Sequence, residues 1–91
     1  HYQFKFGEKG SRVGQFCYPW DIDSCPVSHQ IVVSDTRNRR VQLFTPYGQY
    51  LSHISQPLDS PRGVAFMGDK IVISDFNKHR LLIVDKNKVN N

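Results

Sequence analysis

The sequence predicts an all-β fold, a fragment of a β-propeller, and three observations carry that expectation. One stretch of chain recurs after about forty residues. No segment of eight or more residues shows a helical hydrophobic period. The strands "IVV" and "IVI" inside each copy are apolar on consecutive positions, so both of their faces need cover that a lone sheet in water lacks.

The repeat is explicit when Ile31–Phe44 is laid on Ile71–Val84. Ile31 matches Ile71, Val32 matches Val72, Ser34 matches Ser74, Asp35 matches Asp75 and Arg40 matches Arg80. Most other pairs exchange one aliphatic residue for another. Upstream, "PWDID" from Pro19 falls on "PRGVA" from Pro61, with two extra residues in the first copy before its next strand.

Element by element, the first copy predicts strands at Trp20–Asp23, Ile31–Ser34, Arg40–Phe44 and Gln49–Ile54. Turn residues divide them, and "TPYGQ" forms the last turn. That is a four-stranded meander. The second copy predicts strands at Arg62–Phe66, Ile71–Ser74 and Arg80–Val84, and "HYQFKF" predicts an outer strand at Tyr2–Phe6. Four strands per forty-residue repeat, each sheet covered by the next, describe a propeller blade. The expected organisation is an outer strand of a preceding blade at 1–6, a blade with its lead loop at 7–54, and an incomplete second blade at 55–91. Propellers close with about four to eight blades, so this chain reads as part of a larger ring, an inference its start without a Met supports. Three copies closing a six-bladed ring is the alternative, which a trimer in sedimentation would favour.

Composition limits what the chain does. Ninety-one residues, 38% hydrophobic and 22% charged, suit a small folded domain. Twelve Lys and Arg against eight Asp and Glu leave a net charge of +4, which permits an anionic partner without requiring one. Cys17 and Cys25 form no CxxC pair and the four histidines are scattered, so no metal site is expected and a reduced, cytosolic chain is the simpler reading. The apolar runs are far too short for a membrane span and no signal peptide opens the chain. No nucleophile and base stand at catalytic spacing, so neither an enzyme nor a cofactor is expected. "GEKGSR" lacks the spacing and the following helix of a phosphate-binding loop, and it reads as a flexible lead whose Lys9 and Arg12, with nearby Lys5, could touch an RNA backbone.

With these residues in view, the chain resembles the NHL repeat, whose pattern is a Gly-rich lead, a Phe, a Pro opening the inner strand, an Asp and an Asn-His-Arg triplet. Gly7, Gly10, Gly14, Phe16, Pro19, Asp35, Asn38 and Arg40 fill those places in the first copy. The second has Pro61, Gly63, Asp75, His79 and Arg80, but Lys78 replaces the Asn and "SHISQPLD" replaces the lead. "YPWD", "SDTRN", "DSPRGVAF" and "SDFNKHRLL" look most like TRIM-NHL proteins of the heterochronic, Lin-type branch. The resemblance implies a six-bladed propeller in a cytoplasmic developmental regulator that binds structured mRNA elements and represses those messages. It also implies RING, B-box and coiled-coil regions elsewhere, so any ubiquitin-ligase activity belongs outside this chain.

Propeller geometry puts the entry of the inner strand and the loop between the second and third strands on one face. "DTRNRR" and "DFNKHR" would then form a basic collar around the channel mouth. Arg37, Asn38, Arg39, Lys78 and His79 are the expected RNA contacts. Tyr18 and Trp20 flank Pro19 as platforms for an unpaired base, with Arg62 in the place of Trp20 in the second copy. Trp20 could equally fill a gap between blades, and Phe76 is expected to pack. Arg40 and Arg80 recur and are expected to brace their loops against Asp35 and Asp75, with RNA contact as the alternative. Asp21 and Asp23 read as turn and bracing groups, and Phe4, Phe6, Phe16, Phe44 and Phe66 as core. The expected partner is an RNA hairpin or short exposed loop. The alternative is a propeller that recruits protein substrates or cofactors through the same face.

Overall fold

The computed structural model describes residues 7–54 and 56–86. The outer strand expected at Tyr2–Phe6, with Lys5, lies outside the described residues. Every other expected strand is present with ends within one residue of those predicted. The first sheet is a meander of β3 (Pro19–Ser24), β4 (Ile31–Asp35), β5 (Arg40–Phe44) and β6 (Tyr50–His53). The second is a three-stranded meander of β7 (Pro61–Met67), β8 (Lys70–Asp75) and β9 (Arg80–Asp85). All pairings within both sheets are antiparallel. The fold is all-β, in sheets of the kind that propellers stack as blades.

Both sheets are built alike. Pro19 pairs with Asp35 and Pro61 with Asp75, each followed by a register shift where the inner strand carries extra backbone. Each Pro opens its strand, a position where the missing N–H costs the ladder nothing. Between β5 and β6 the Thr45 hydroxyl accepts the N–H groups of Tyr47 and Gln49, and Gly48 supplies the positive φ that the turn needs.

The core lies between the sheets. Period-two alternation sends Val32, Val41 and Leu43 of the first sheet against Val64, Ile71, Ile73 and Val84 of the second, closed at one edge by Ile54 and Leu58. Val32, Val41, Ile71 and Ile73 are fully buried. Truncating a core aliphatic of this kind to Ala typically costs about 2–5 kcal/mol. The positions in the second copy that match Val32, Ser34, Val41 and Leu43 are Val72, Ser74, Leu81 and Ile83. Leu81 and Ile83 are 71% and 61% exposed, so among the described residues no sheet covers this face.

Polar groups fix the stacking as firmly as the apolar ones. Asp21 and Asp23 project from β3 and accept the N–H groups of Val64 (3.1 Å) and Phe66 (2.7 Å), on the edge of β7 that no strand pairs among the described residues. The Ser34 hydroxyl donates to the Arg62 carbonyl, and the Thr36 hydroxyl donates to the Pro61 carbonyl at 2.6 Å. The bracing role expected of Asp21 and Asp23 is therefore played between sheets, across a junction that contains unpaired strand edge.

One expectation is corrected. The lead "GEKGSR" is not a free loop, because β1 (Glu8–Lys9) and β2 (Gln15–Phe16) pair in parallel and the Gly10 N–H donates to the Phe16 carbonyl at 2.9 Å. Gln42, fully buried on β5, accepts from the Gly14 N–H and donates to the Gln15 carbonyl, so its amide fastens the lead to the sheet. Phe16 then packs on Phe44 with ring centroids 5.4 Å apart. Gly7 has φ +86, and a Cβ there would collide with the Phe16 ring.

Candidate functional site

Each loop between the second and third strands is held at its base by a buried carboxylate. Asp35 is fully buried and accepts three hydrogen bonds: the Cys17 N–H at 2.7 Å, the Asn38 amide at 2.9 Å and the Arg40 Nε at 2.9 Å. Arg40 spends its remaining nitrogens on the carbonyls of Ser11, Arg12 and Gln15. Asp75 repeats the plan with the N–H groups of Asp59 and Ser60 and with Arg80 Nη2 at 3.3 Å, while Arg80 also donates to the Pro57 carbonyl. Burial alone would push the Asp75 carboxyl up, but the Ser60 and Asp59 N–H groups and the Arg80 charge outweigh it and hold the group below the usual carboxylate range. The bracing reading of Arg40, Arg80, Asp35 and Asp75 thus describes their contacts.

Above these anchors the two loops turn in the same way. Arg39 N donates to Thr36 O, and His79 N donates to Phe76 O. Arg39 (φ 57) and His79 (φ 51) both take the left-handed conformation that turns the chain into the third strand. The first loop is stitched to the strand entry by Thr36 N to Tyr18 O and Arg37 N to Cys17 O, and the second by Phe76 N to Ser60 O. Loop and inner-strand entry therefore share one face, as expected.

On that face, at the junction of the two sheets, lies a cleft of about 430 Å³ lined by Tyr18, Trp20, Thr36, Arg37, Arg39, Asp59, Ser60, Arg62 and Asn77. Its aromatic walls carry stacked cations. The Arg37 guanidinium sits 4.5 Å from the Tyr18 ring centroid, and Arg62 lies 4.6 Å from Trp20 and 3.9 Å from Phe76. Tyr18 and Trp20 nevertheless keep 64% and 59% of their surface exposed. Arg62 Nε is buried without a hydrogen-bond partner among the described residues. Arg39, 69% exposed at its side chain, reaches across the junction to Asp59 at 3.3 Å.

The sequence-derived site is thus partly assembled and partly dispersed. Tyr18, Trp20, Arg37, Arg39 and Arg62 converge on the cleft. Lys78 and His79 are exposed in the second loop and do not line it; His79 borders a separate hollow with Ser74, Asp75, Phe76, Arg80 and Leu81. The Asn38 amide donates to Asp35 and to the Gly10 carbonyl (2.7 Å), so it braces the loop from within. Phe76 contacts the Arg62 guanidinium while keeping 49% of its surface exposed. Sequence reasoning missed Asp59, Ser60, Thr36 and Asn77. The available signal was register: Asp59 stands two residues before Pro61 as Cys17 does before Pro19, which places it at the loop's base.

Among the described residues no group of three or more His, Cys, Asp or Glu side chains could hold a metal ion, and no helix is long and apolar enough to cross a membrane. Away from the cleft, hydrogen bonds from the Ser28 hydroxyl, the Ser28 N–H and the Val27 N–H lower the Cys25 thiol pKa to about 7.

Stacked antiparallel sheets, with loops and strand entries gathered into a cationic, aromatic mouth, define an interaction module of the propeller class. Residues 16–44 match the family model of the NHL repeat. Over 89 residues, 94% of this chain, the sequence is 29% identical to Protein brain tumor of Drosophila melanogaster. The match takes in 9% of that protein's length, so the chain corresponds to a small part of its relative.

Proposed function

We propose that this segment forms part of an RNA-binding propeller face of the TRIM-NHL kind, close to the Lin-type branch, acting in the cytoplasm on structured mRNA elements to repress them. The observation that carries the reading is the inter-sheet cleft, where three arginines surround two exposed aromatic rings. Guanidinium groups suit phosphate oxygens, and rings that keep more than half their surface free suit unstacked bases. Arg37 and Arg39 supply phosphate contacts at the lip, Tyr18 and Trp20 supply stacking, and Arg62 orders Trp20 from behind. Lys78 and His79 extend the basic surface along the next loop. Binding on this reading is docking without chemistry, in which phosphate contacts set affinity and stacking selects exposed loops.

The test is fluorescence anisotropy of labelled RNA hairpins, single strands and a matched DNA hairpin with the full-length protein, repeated with Arg37→Ala/Arg39→Ala. RNA binding should weaken steeply with salt, and each lost phosphate contact should lower the slope of log K against log salt by about 0.7 on single strands. Weak, equal binding to every probe, unchanged in the variant, would overturn the reading and direct the search to protein partners.

A further inference from the structure

The cleft holds an acid among its cations. Asp59 lines it, with its side chain 29% exposed and its carboxylate 3.3 Å from Arg39 Nη2. The fold does not ask for that carboxylate. Asp59 serves the loop through its backbone, whose N–H donates to the two Asp75 carboxylate oxygens at 3.1 and 3.2 Å. At the same register in the first copy Cys17 does the equivalent work, its N–H donating to Asp35, so the position accepts a residue without a carboxylate.

The three arginines of the cleft are held in different ways. Arg37 lies over Tyr18, and Arg62 lies over both Trp20 and Phe76. A ring attracts a cation without cancelling its charge, so both stay positive toward an incoming anion. Arg39 alone of the three has a carboxylate within ion-pair distance among the described residues. Both ends of that pair start from fixed backbone, Arg39 in the left-handed turn and Asp59 on its bonds to Asp75. Less side-chain ordering is then needed to form it than between two freely moving surface residues.

A phosphate and the Asp59 carboxylate compete for one guanidinium. Resting on the RNA reading above, we infer that Asp59 is an autoinhibitory ligand of Arg39: the carboxylate occupies the guanidinium in the free protein, and RNA gains that contact only by displacing it. The contact is thereby conditional. A strand already held at Arg37, Tyr18 or Trp20 brings its next phosphate to Arg39 at high effective concentration and displaces a weak exposed pair, whereas an isolated anion finds the guanidinium occupied.

The experiment measures the anisotropy of a labelled uridine heptamer and a labelled RNA hairpin with the full-length protein, as wild type, Asp59→Asn, Arg39→Ala and the double variant. Releasing an exposed pair of this kind should tighten binding about threefold in Asp59→Asn. Asp59→Ala, which offers RNA no side-chain amide, should show the same gain. In the Arg39→Ala background the gain should vanish, and that loss separates a clamp from a stray charge, because general repulsion between Asp59 and RNA would persist without Arg39. Circular dichroism of the variants should match wild type, since the backbone anchor is untouched. Unchanged or weaker binding in both neutral variants, or a gain of equal size with and without Arg39, refutes the inference and leaves the RNA reading standing. No salt-sensitive binding of either probe by wild type or variants refutes both.

Discussion

The fold contains two aspartate–arginine pairs in one loop region that should behave as opposites when cut. Asp35 is fully buried, and Arg40 beside it is 18% exposed at its side chain; Asp59 and Arg39 are 29% and 69% exposed. Asp35→Ala strands the Cys17 N–H, one of the two bonds of the Asn38 amide and the Nε of a largely buried guanidinium. Deleting one member of a buried pair typically costs about 3–5 kcal/mol, because its partner's charge is left uncompensated. Arg40 keeps three carbonyls and Asn38 keeps Gly10, so the lower end applies, about 3 kcal/mol. Asp59→Ala breaks one exposed contact and should cost less than about 1 kcal/mol. Urea unfolding at neutral pH with comparable m-values separates these outcomes. Equal, sub-kilocalorie losses for both variants would refute the argument, since Arg40's carbonyl bonds would then hold the loop without the carboxylate.

Three further outcomes follow from the same geometry. Asp21→Ala/Asp23→Ala should destabilise the inter-sheet junction by roughly 2 kcal/mol, with faster hydrogen exchange at the Val64 and Phe66 amides their carboxylates now hold; unchanged exchange at both amides would count against the junction. Arg39→Gly relieves a left-handed φ of 57° and loses an exposed ion pair, so stability should be unchanged or higher, while on the proposed RNA reading affinity for RNA should fall, separating binding from folding in one variant. The folded Asp75 carboxyl sits below its unfolded value, so its contribution to stability is present above about pH 4 and lost as pH falls through the lower folded value. Wild type should therefore lose stability relative to Asp75→Asn on acidification, and parallel acid titrations of the two would contradict that sign.

Much of the fold was legible because the repeat showed it twice. Strand positions followed from the alternation of apolar runs and turn residues, and their pairing followed from short connections that leave antiparallel neighbours as the economical choice. Less legible was anything resting on a single long-range polar contact. Gln42 reads as a polar interruption of β5, at the position that Leu82 occupies in the second copy, and only the structure reveals that its amide fastens the lead. The lead was misread for the same reason: its glycines suggest a flexible segment, whereas the donors that organise it, Asn38, Arg40 and Gln42, lie some thirty residues downstream. At the site, charge and aromatic content singled out Arg37, Arg39, Tyr18, Trp20 and Arg62. The bond of the Asn38 amide to Asp35 carried no such signal. Asp59 was overlooked because a lone acid in a basic neighbourhood has no sequence signature.

The division between repeated and varied positions then has a physical reason. Asp35 with Arg40, and Asp75 with Arg80, clamp the two ends of each loop, so the four residues between them need only make one turn through a left-handed residue. The exposed side chains on these turns, Arg37 and Arg39 in one blade and "FNKH" in the next, can vary with little cost to the sheet beneath, whereas Thr36 and Asn38 are held by structural bonds. The junctions differ by the same logic. Asp21, Asp23 and Thr36 tie the second sheet's backbone to the first, and their counterparts Gly63, Ala65 and Phe76 offer none of those oxygens. Phe76 instead backs Arg62, which holds Trp20 from the other side. What the second blade gives up in ties through Gly63, Ala65 and Phe76 it gives to the wall of the cleft, where Phe76 and Arg62 back Trp20.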